Sequence, residues 1–228
     1  LLGIETAGSL NLLFTDKTGT LTQGRLTVSA FLTGGGARHE KLDDIPQALR
    51  DTVGFALSNN TSAVIDASDP TDPKLVGADR TEQALLRFVT PYLAESGKVD
   101  IVEIIPFNST RKFSATQVSG DRALTLVKGA PEVILQNCER WLDANGNPQA
   151  LPAPETLQTA MSELSSRAMR LLAVAITDTP IDDGKALPAH LTLVGVFGMR
   201  DELRETAYAS VKTAQAAGIQ RLYKNSIA

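Results

Sequence analysis

Apolar residues fall in two spacings along this chain, and the alternation between them predicts its elements. Leu10 to Phe14 is a compact apolar run that stops abruptly at Thr15-Asp16, the pattern of a buried strand. Ile45, Leu49, Val53, Ala56 and Leu57 recur at helical spacing, and Thr81 is placed to cap a second helix whose inner face is Ala84, Leu85 and Phe88. Ile101 to Ile105, Phe113 to Val118 and Ala123 to Val127 read as strands, the last two joined by a Ser119-Gly120-Asp121-Arg122 turn. Pro131 suits a first helical turn ahead of Val133 to Cys138, and Asn145-Gly146-Asn147-Pro148 is a turn. Leu157, Met161, Leu164 and Ala168 form an amphipathic helix, followed by strands at Leu171 to Ile176 and Leu191 to Phe197. A last helix, Glu202 to Ala217, ends on Gly218. Gly34-Gly35-Gly36 and Asp66 to Lys74 are expected loops.

The middle of the chain is therefore a run of strands with helices beside it, an α+β pattern. Its two ends look like pieces of an α/β unit, strand then Asp16 at the start, strand then Asp201 and a helix at the finish. One domain inserted between two halves of another accounts for that layout. The expected boundaries are 1–26, 27–194 and 195–228.

Composition narrows the classes. With 228 residues, 43% of them apolar, the chain can bury a substantial core. Its net charge of −4 lacks the basic excess of a nucleic-acid surface, so nucleic acid is not an expected partner. A lone cysteine, Cys138, excludes an internal disulfide framework and suits a buried filler in a reducing compartment. His39 and His190 form no zinc-like cluster with it. No apolar stretch approaches the roughly 20 residues of a membrane span, and no signal peptide is legible. The start at Leu1-Leu2-Gly3, without Met, is that of a piece of a longer protein. The glycosylation triplets at Asn59, Asn60 and Asn108 carry no weight for a chain expected in the cytosol.

Chemistry concentrates at Asp16-Lys17-Thr18-Gly19-Thr20-Leu21-Thr22. An aspartate at the carboxyl end of a buried strand stands where open α/β sheets bind ligands. Its carboxylate can attack phosphorus, while Lys17, Thr18 and backbone N–H groups of the Gly19 turn suit phosphate oxygens. Alone, Asp16 could equally cap a strand-ending turn.

The heptapeptide resembles the phosphorylation signature of P-type ATPases, within the haloacid-dehalogenase-like group. That resemblance implies that Asp16 accepts the γ-phosphate of ATP, that Mg²⁺ assists, and that Asp16 and the Thr18 carbonyl are magnesium ligands. It also implies a nucleotide-binding domain inserted after the motif, an antiparallel sheet with flanking helices. Thr81-Glu82-Gln83-Ala84-Leu85 resembles that domain's Thr-Glu-x-Ala-Leu helix start, placing Glu82 near adenine. Pro106 to Lys112 resembles its Pro-Phe-x-Ser-x-Arg-Lys segment, with Phe107 stacked on the adenine and Ser109 and Lys112 beside the nucleotide. Lys128-Gly129-Ala130-Pro131-Glu132 matches Lys-Gly-Ala-Pro-Glu, with Lys128 and Gly129 at the ATP site. Arg170 falls where the family has an arginine that reaches the phosphates, with Leu172 just beyond.

Independent physical sense supports each assignment without deciding it. A flat purine wants an aromatic face such as Phe107, though a Phe near a strand end packs in cores as readily. Glu82 is also what a helix dipole favours in a first turn, and Lys128 or Arg170 alone could be solvated charges.

Gly198 to Arg204 resembles the family's hinge back into the phosphorylation domain, keeping Asp201 and Arg204, which the resemblance counts among the nucleotide-binding residues, while Glu202 replaces a proline. The chain then reaches Ala228 without the later Thr-Gly-Asp and Gly-Asp-Gly-x-Asn-Asp segments, so sustained turnover by this piece is not expected. The motif combination is most similar to pumps for calcium and related cations. It implies, as partners, ATP and the remaining phosphorylation, actuator and transmembrane domains, at the cytoplasmic face of a membrane. Two other classes stay open: a soluble phosphatase of the same group, which would want an aspartate where Thr18 stands, and a non-catalytic nucleotide sensor.

Overall fold

A computed structural model describes residues 12–66, 74–77, 79–91, 99–182 and 186–223. The predicted elements at Leu10 and Asn11, most of the expected loop before Lys74, and the final five residues lie outside this set. Two compact units emerge: residues 1–26 with 201–228, and residues 27–200. The chain passes between them twice, once within β2 (Thr22–Leu32) and once between Arg200 and Asp201.

The smaller unit holds β1 (Leu12–Thr15), which ends at Asp16 as its apolar run predicts. Gly19, at φ 80, lets the chain turn back within the Lys17–Leu21 segment that follows.

The larger unit is α+β, built on one mixed sheet. After β2 come the short β3 (Arg38–His39), α1 (Gln47–Asn59), and the β4 (Val64–Asp66) and β5 (Lys74–Val76) pair. Helix α2 (Arg80–Val89) is capped by Asp79, whose carboxylate accepts hydrogen bonds from the N–H groups of Thr81 and Glu82. The expected cap, Thr81, is instead the second helical residue. Aspartate and threonine are both good caps, and the one whose side chain reaches two open N–H groups prevails.

Strands β6 (Val99–Ile105), β7 (Phe113–Gly120) and β8 (Leu124–Gly129) form an antiparallel meander, with Val118 opposite Leu124 at the second turn. Pro131 opens α3 (Pro131–Ile134), but this helix is one turn long, and Cys138 starts β9 (Cys138–Leu142) rather than ending a helix. Asn145 to Pro148 turns the chain into β10 (Pro148–Ala150). Helix α4 (Pro154–Ser166), β11 (Arg170–Thr177) and β12 (Leu191–Leu203) complete the unit. The strand order is β10-β9-β12-β11-β8-β7-β6, with β2 beside β12. Only β9 and β12 run parallel among the pairs of that path with a described register.

Helices cover both faces. On one, Phe113, Ala115, Val127, Ala173 and Val196 pack with Ile134, Leu157, Leu164 and Met169 from α3, α4 and the turn beyond. The other face meets α1, and the central strand β8 is buried on both sides, five of its six residues in succession, Thr125 and Lys128 among them.

The last helix, α5 (Glu205–Ala216), starts three residues later than expected. Residues up to Leu203 still belong to β12, and Arg204 is extended (φ −64, ψ 141). Gly218, at φ 80, ends it as its position predicts. Strand β13 (Gln220–Tyr223) then pairs in parallel with β1. Among the described residues no helix is long and apolar enough to cross a membrane.

Candidate functional site

Lys128 is the second-to-last residue of β8, opposite Ser114 on β7 and Val174 on β11. Partners directly opposite share a face. Arg170 and Leu172, four and two residues before Val174 on the same strand, share it too. The Lys128 side chain is buried, 7% exposed, and its ammonium lies 2.6 Å from the Glu82 carboxylate. It also donates to the carbonyl oxygen of Asn60. Glu82 accepts further hydrogen bonds from the Ser62 N–H and hydroxyl, each at 2.7 Å, and from the Thr61 hydroxyl at 3.3 Å.

Burial opposes charge on Glu82, but Lys128's charge and the hydrogen bonds from Lys128 and Ser62 outweigh it and hold the carboxyl below its ordinary range. Burial pulls the Lys128 ammonium below the usual lysine value, against the attraction of Glu82 and Asp79. Each charge of the pair therefore depends on the other, the Glu82 carboxylate being favoured by Lys128 and the Lys128 ammonium held against burial by Glu82.

Farther along that face, Arg170 donates to the Thr81 hydroxyl at 3.1 Å, joining residues 89 positions apart. Thr81, Glu82, Lys128 and Arg170 therefore converge through contacts between side chains of α2, β8 and β11. Leu172 is half-buried on that face.

Phe107, Ser109 and Lys112 sit on the loop between β6 and β7. Asn108 organises it: its side-chain oxygen accepts from Thr110 and Arg111 N–H, and its carbonyl accepts from Lys112 N–H at 2.7 Å. Phe107 is left 57% exposed. Lys112 adopts a left-handed φ of 58 and pairs with Glu132 at 3.0 Å, both side chains being largely exposed. Gly129 passes so close to this loop that a Cβ there would lie 2.5 Å from the Lys112 carbonyl oxygen. The glycine of Lys-Gly-Ala-Pro-Glu is what lets β8 and the loop approach.

Three participants escaped the sequence reading. Asn60, 4% exposed, donates to the Leu126 carbonyl at 3.0 Å and accepts from the Thr116 hydroxyl at 3.1 Å while holding Lys128. Asp79 starts α2, and Ser114 brings to Lys128's face a buried hydroxyl that has no protein partner. Asn60's place just after a helix was its sole local signal.

Asp16, Lys17, Thr18, Asp201 and Arg204 belong to the smaller unit. Asp16 and Thr18 are exposed, and the Lys17 side chain lies outside the described residues. The Asp201 carboxylate accepts from the Thr22 hydroxyl at 2.7 Å and the Arg25 N–H at 3.1 Å. Arg204 donates to the carbonyls of Thr22 at 3.1 Å and Gly19 at 3.0 Å. The Thr22 hydroxyl in turn accepts from Gly19 N–H. Asp201 and Arg204 thus direct these groups at the loop that follows Asp16. Among the described residues no three His, Cys, Asp or Glu side chains gather as a metal cage. Asp16 and the Thr18 carbonyl are nonetheless oxygen donors of the kind Mg²⁺ takes, and that ion commonly uses one or two carboxylates with waters and substrate phosphates.

A family model described as P-type ATPase, cytoplasmic domain N, matches residues 49–206. A putative plasma-membrane-type calcium-transporting ATPase 11 of Arabidopsis thaliana is 30% identical over 96% of this chain and 22% of its own length. Calcium-transporting ATPase 1 of Lactococcus lactis is 32% identical over 96% of this chain and 25% of its own length. The chain thus spans about a quarter of the curated relatives it matches. With that match covering the unit that carries Glu82, Lys128 and Arg170, the chain belongs to the P-type ATPase family and contains its cytoplasmic domain N.

Proposed function

We propose that this chain is the ATP-binding part of a cation-transporting P-type pump, and that ATP held on the larger unit phosphorylates Asp16 in the intact protein. The observation that carries this reading is the convergence of Glu82, Lys128 and Arg170 on one sheet face, together with an exposed aromatic ring on the loop that abuts Gly129, the residue after Lys128. A flat base needs an apolar surface and fixed polar groups at its edge. Phe107 supplies the first, and Lys128 and Glu82, each anchored by several hydrogen bonds, supply the second. Arg170, with a planar fork of donors, suits phosphate oxygens, and Lys112 adds a point charge. Ser109, Gly129 and Leu172 complete the surface in this reading.

At the other unit, an Asp16 oxygen attacks the γ-phosphorus, the bond to the β–γ bridging oxygen breaks, and ADP leaves with that electron pair. Asp16 and the Thr18 carbonyl would hold Mg²⁺, which when bound neutralises phosphate charge. Asp201 and Arg204 act by fixing the Gly19–Thr22 loop behind the nucleophile. The phosphoenzyme then biases membrane helices of the same pump between two access states, with the actuator and the rest of the phosphorylation domain as partners at the cytoplasmic membrane face. Calcium or a related cation is the proposed cargo. This chain alone binds nucleotide without sustained turnover.

The test is phosphorylation of the intact pump with γ-labelled ATP. A label that is stable in acid, released by hydroxylamine and lost in Asp16→Asn supports the reading. Label that persists in that variant contradicts it, and ATP binding without any label points to a nucleotide sensor.

A further inference from the structure

On the opposite side of the sheet from Lys128, α3, α4 and β11 enclose a groove of about 790 Å³. Its walls are largely apolar: Pro131, Leu135, Leu157, Met161, Met169 and Leu171. Leu171 lies between Arg170 and Leu172, so its side chain projects to the face away from theirs. The volume falls in the range of small-molecule clefts, about 300–1,000 Å³. A concavity of this size suits a compact ligand better than the broad flat patch that a protein partner needs.

Among the described residues that line the groove, Glu132 carries the only charge. Its carboxylate is 3.0 Å from the Lys112 ammonium and 58% exposed as a side chain. Its own backbone N–H and then Lys112 hold the carboxyl below the ordinary glutamate range. A negative charge at the rim of an apolar groove complements a ligand with an apolar body and a cationic end. Met161 and Met169, flexible and polarisable, can adjust to such a body.

We propose that this groove is a second binding site, for an amphipathic organic cation whose apolar part enters between α3 and α4 and whose ammonium takes Glu132 from Lys112. The groove's apolar wall at Leu157, Met169 and Leu171 packs on the other face of the sheet from Lys128, and Lys112 is the one side chain that it shares with the proposed nucleotide surface. Lys112 and the ligand compete for one carboxylate, and this sets opposite expectations for two substitutions.

The experiment is calorimetric titration of the 228-residue chain with 4-phenylbutylamine, beside 4-phenylbutanol and 4-phenylbutyrate. Trp141 is the chain's single tryptophan, and its ring lies against Gly34, which lines the groove, so its fluorescence is a second readout. The amine is expected to bind saturably with Kd about 0.1–1 mM. It should bind more tightly than the alcohol, and the carboxylate most weakly. Glu132→Gln should weaken the amine about three- to tenfold and leave the alcohol unchanged. Lys112→Met should strengthen the amine about two- to fivefold by removing the competitor. Gln158→Trp, which places a bulky ring in the groove from an exposed helix position, should abolish binding of both. No saturation up to about 10 mM overturns the proposal. So does amine binding that neither Glu132→Gln nor Gln158→Trp alters.

Discussion

Lys128 and Glu82 meet at 2.6 Å, one at the end of a central strand and the other in the first turn of α2. Neither side chain is more than 14% exposed, so each leaves water largely because the other is present. Their contact fixes α2 over the sheet and thereby sets Thr81 within reach of Arg170. A structural ion pair and the proposed binding surface are here the same residues.

Glu82→Gln should therefore destabilise the larger unit by about 3 kcal/mol at neutral pH, because the Lys128 ammonium stays buried without its counter-charge. The sign with pH follows from the carboxyl. A group held below its ordinary value, 4.5 for glutamate, contributes stability above that pH and loses it as pH falls further, through the folded-state value. Thermal melts between neutral and acidic pH should show a steep acid limb in the parent and a shallower one in Glu82→Gln. Equal acid limbs would contradict the assignment.

Gly129→Ala should cost about 1–3 kcal/mol, since the new methyl would meet the Lys112 carbonyl at 2.5 Å and the Phe113 side chain at 2.8 Å. The loop must shift to accept it, and Phe107 and Lys112 shift with it. Denaturant midpoints and ATP affinity should fall together. A stable Gly129→Ala variant with unchanged affinity would show that close approach of β8 and this loop is dispensable.

Cys138 is buried, and burial pushes its thiol up to about 12. Near pH 8 only about one molecule in 10⁴ would carry the reactive thiolate even if it were reached. A thiol reagent should label the native chain only at the rate of opening and label it at once in denaturant. Rapid stoichiometric labelling of the native chain would place Cys138 elsewhere than in the core.

Elements that rest on local chemistry were legible in the sequence. Gly218 ends its helix, the Lys17–Leu21 loop turns at Gly19, and the β7–β8 hairpin and both amphipathic helices come from residues a few positions apart. What the sequence hid is long-range. The start of β2, Thr22-Gln23-Gly24-Arg25, has no apolar alternation, and Thr22 finds its hydrogen-bond partner Asp201 179 positions away. The delayed start of α5 has the same cause, because Asp201 to Leu203 belong to β12. Asn60 had only its place just after a helix to mark it, yet it takes the Lys128 ammonium from 68 positions distant. Motif resemblance singled out Glu82, Lys128 and Arg170, while their mutual contacts became visible only in the folded sheet.

The most direct test of the nucleotide surface is a titration of this chain with ATP, by calorimetry and by amide NMR, repeated on Phe107→Ala and Lys128→Ala. Phe107 is 57% exposed, so its removal should leave the melting temperature unchanged while weakening ATP about five- to thirtyfold through the lost stack. Lys128→Ala should weaken ATP as well, with amide shifts centred on residues 81–82, 107–112, 128–129 and 170–172. Saturable binding with those effects is the predicted result. A folded chain that fails to bind at about millimolar ATP, or binds it equally well without the Phe107 ring, would contradict the account.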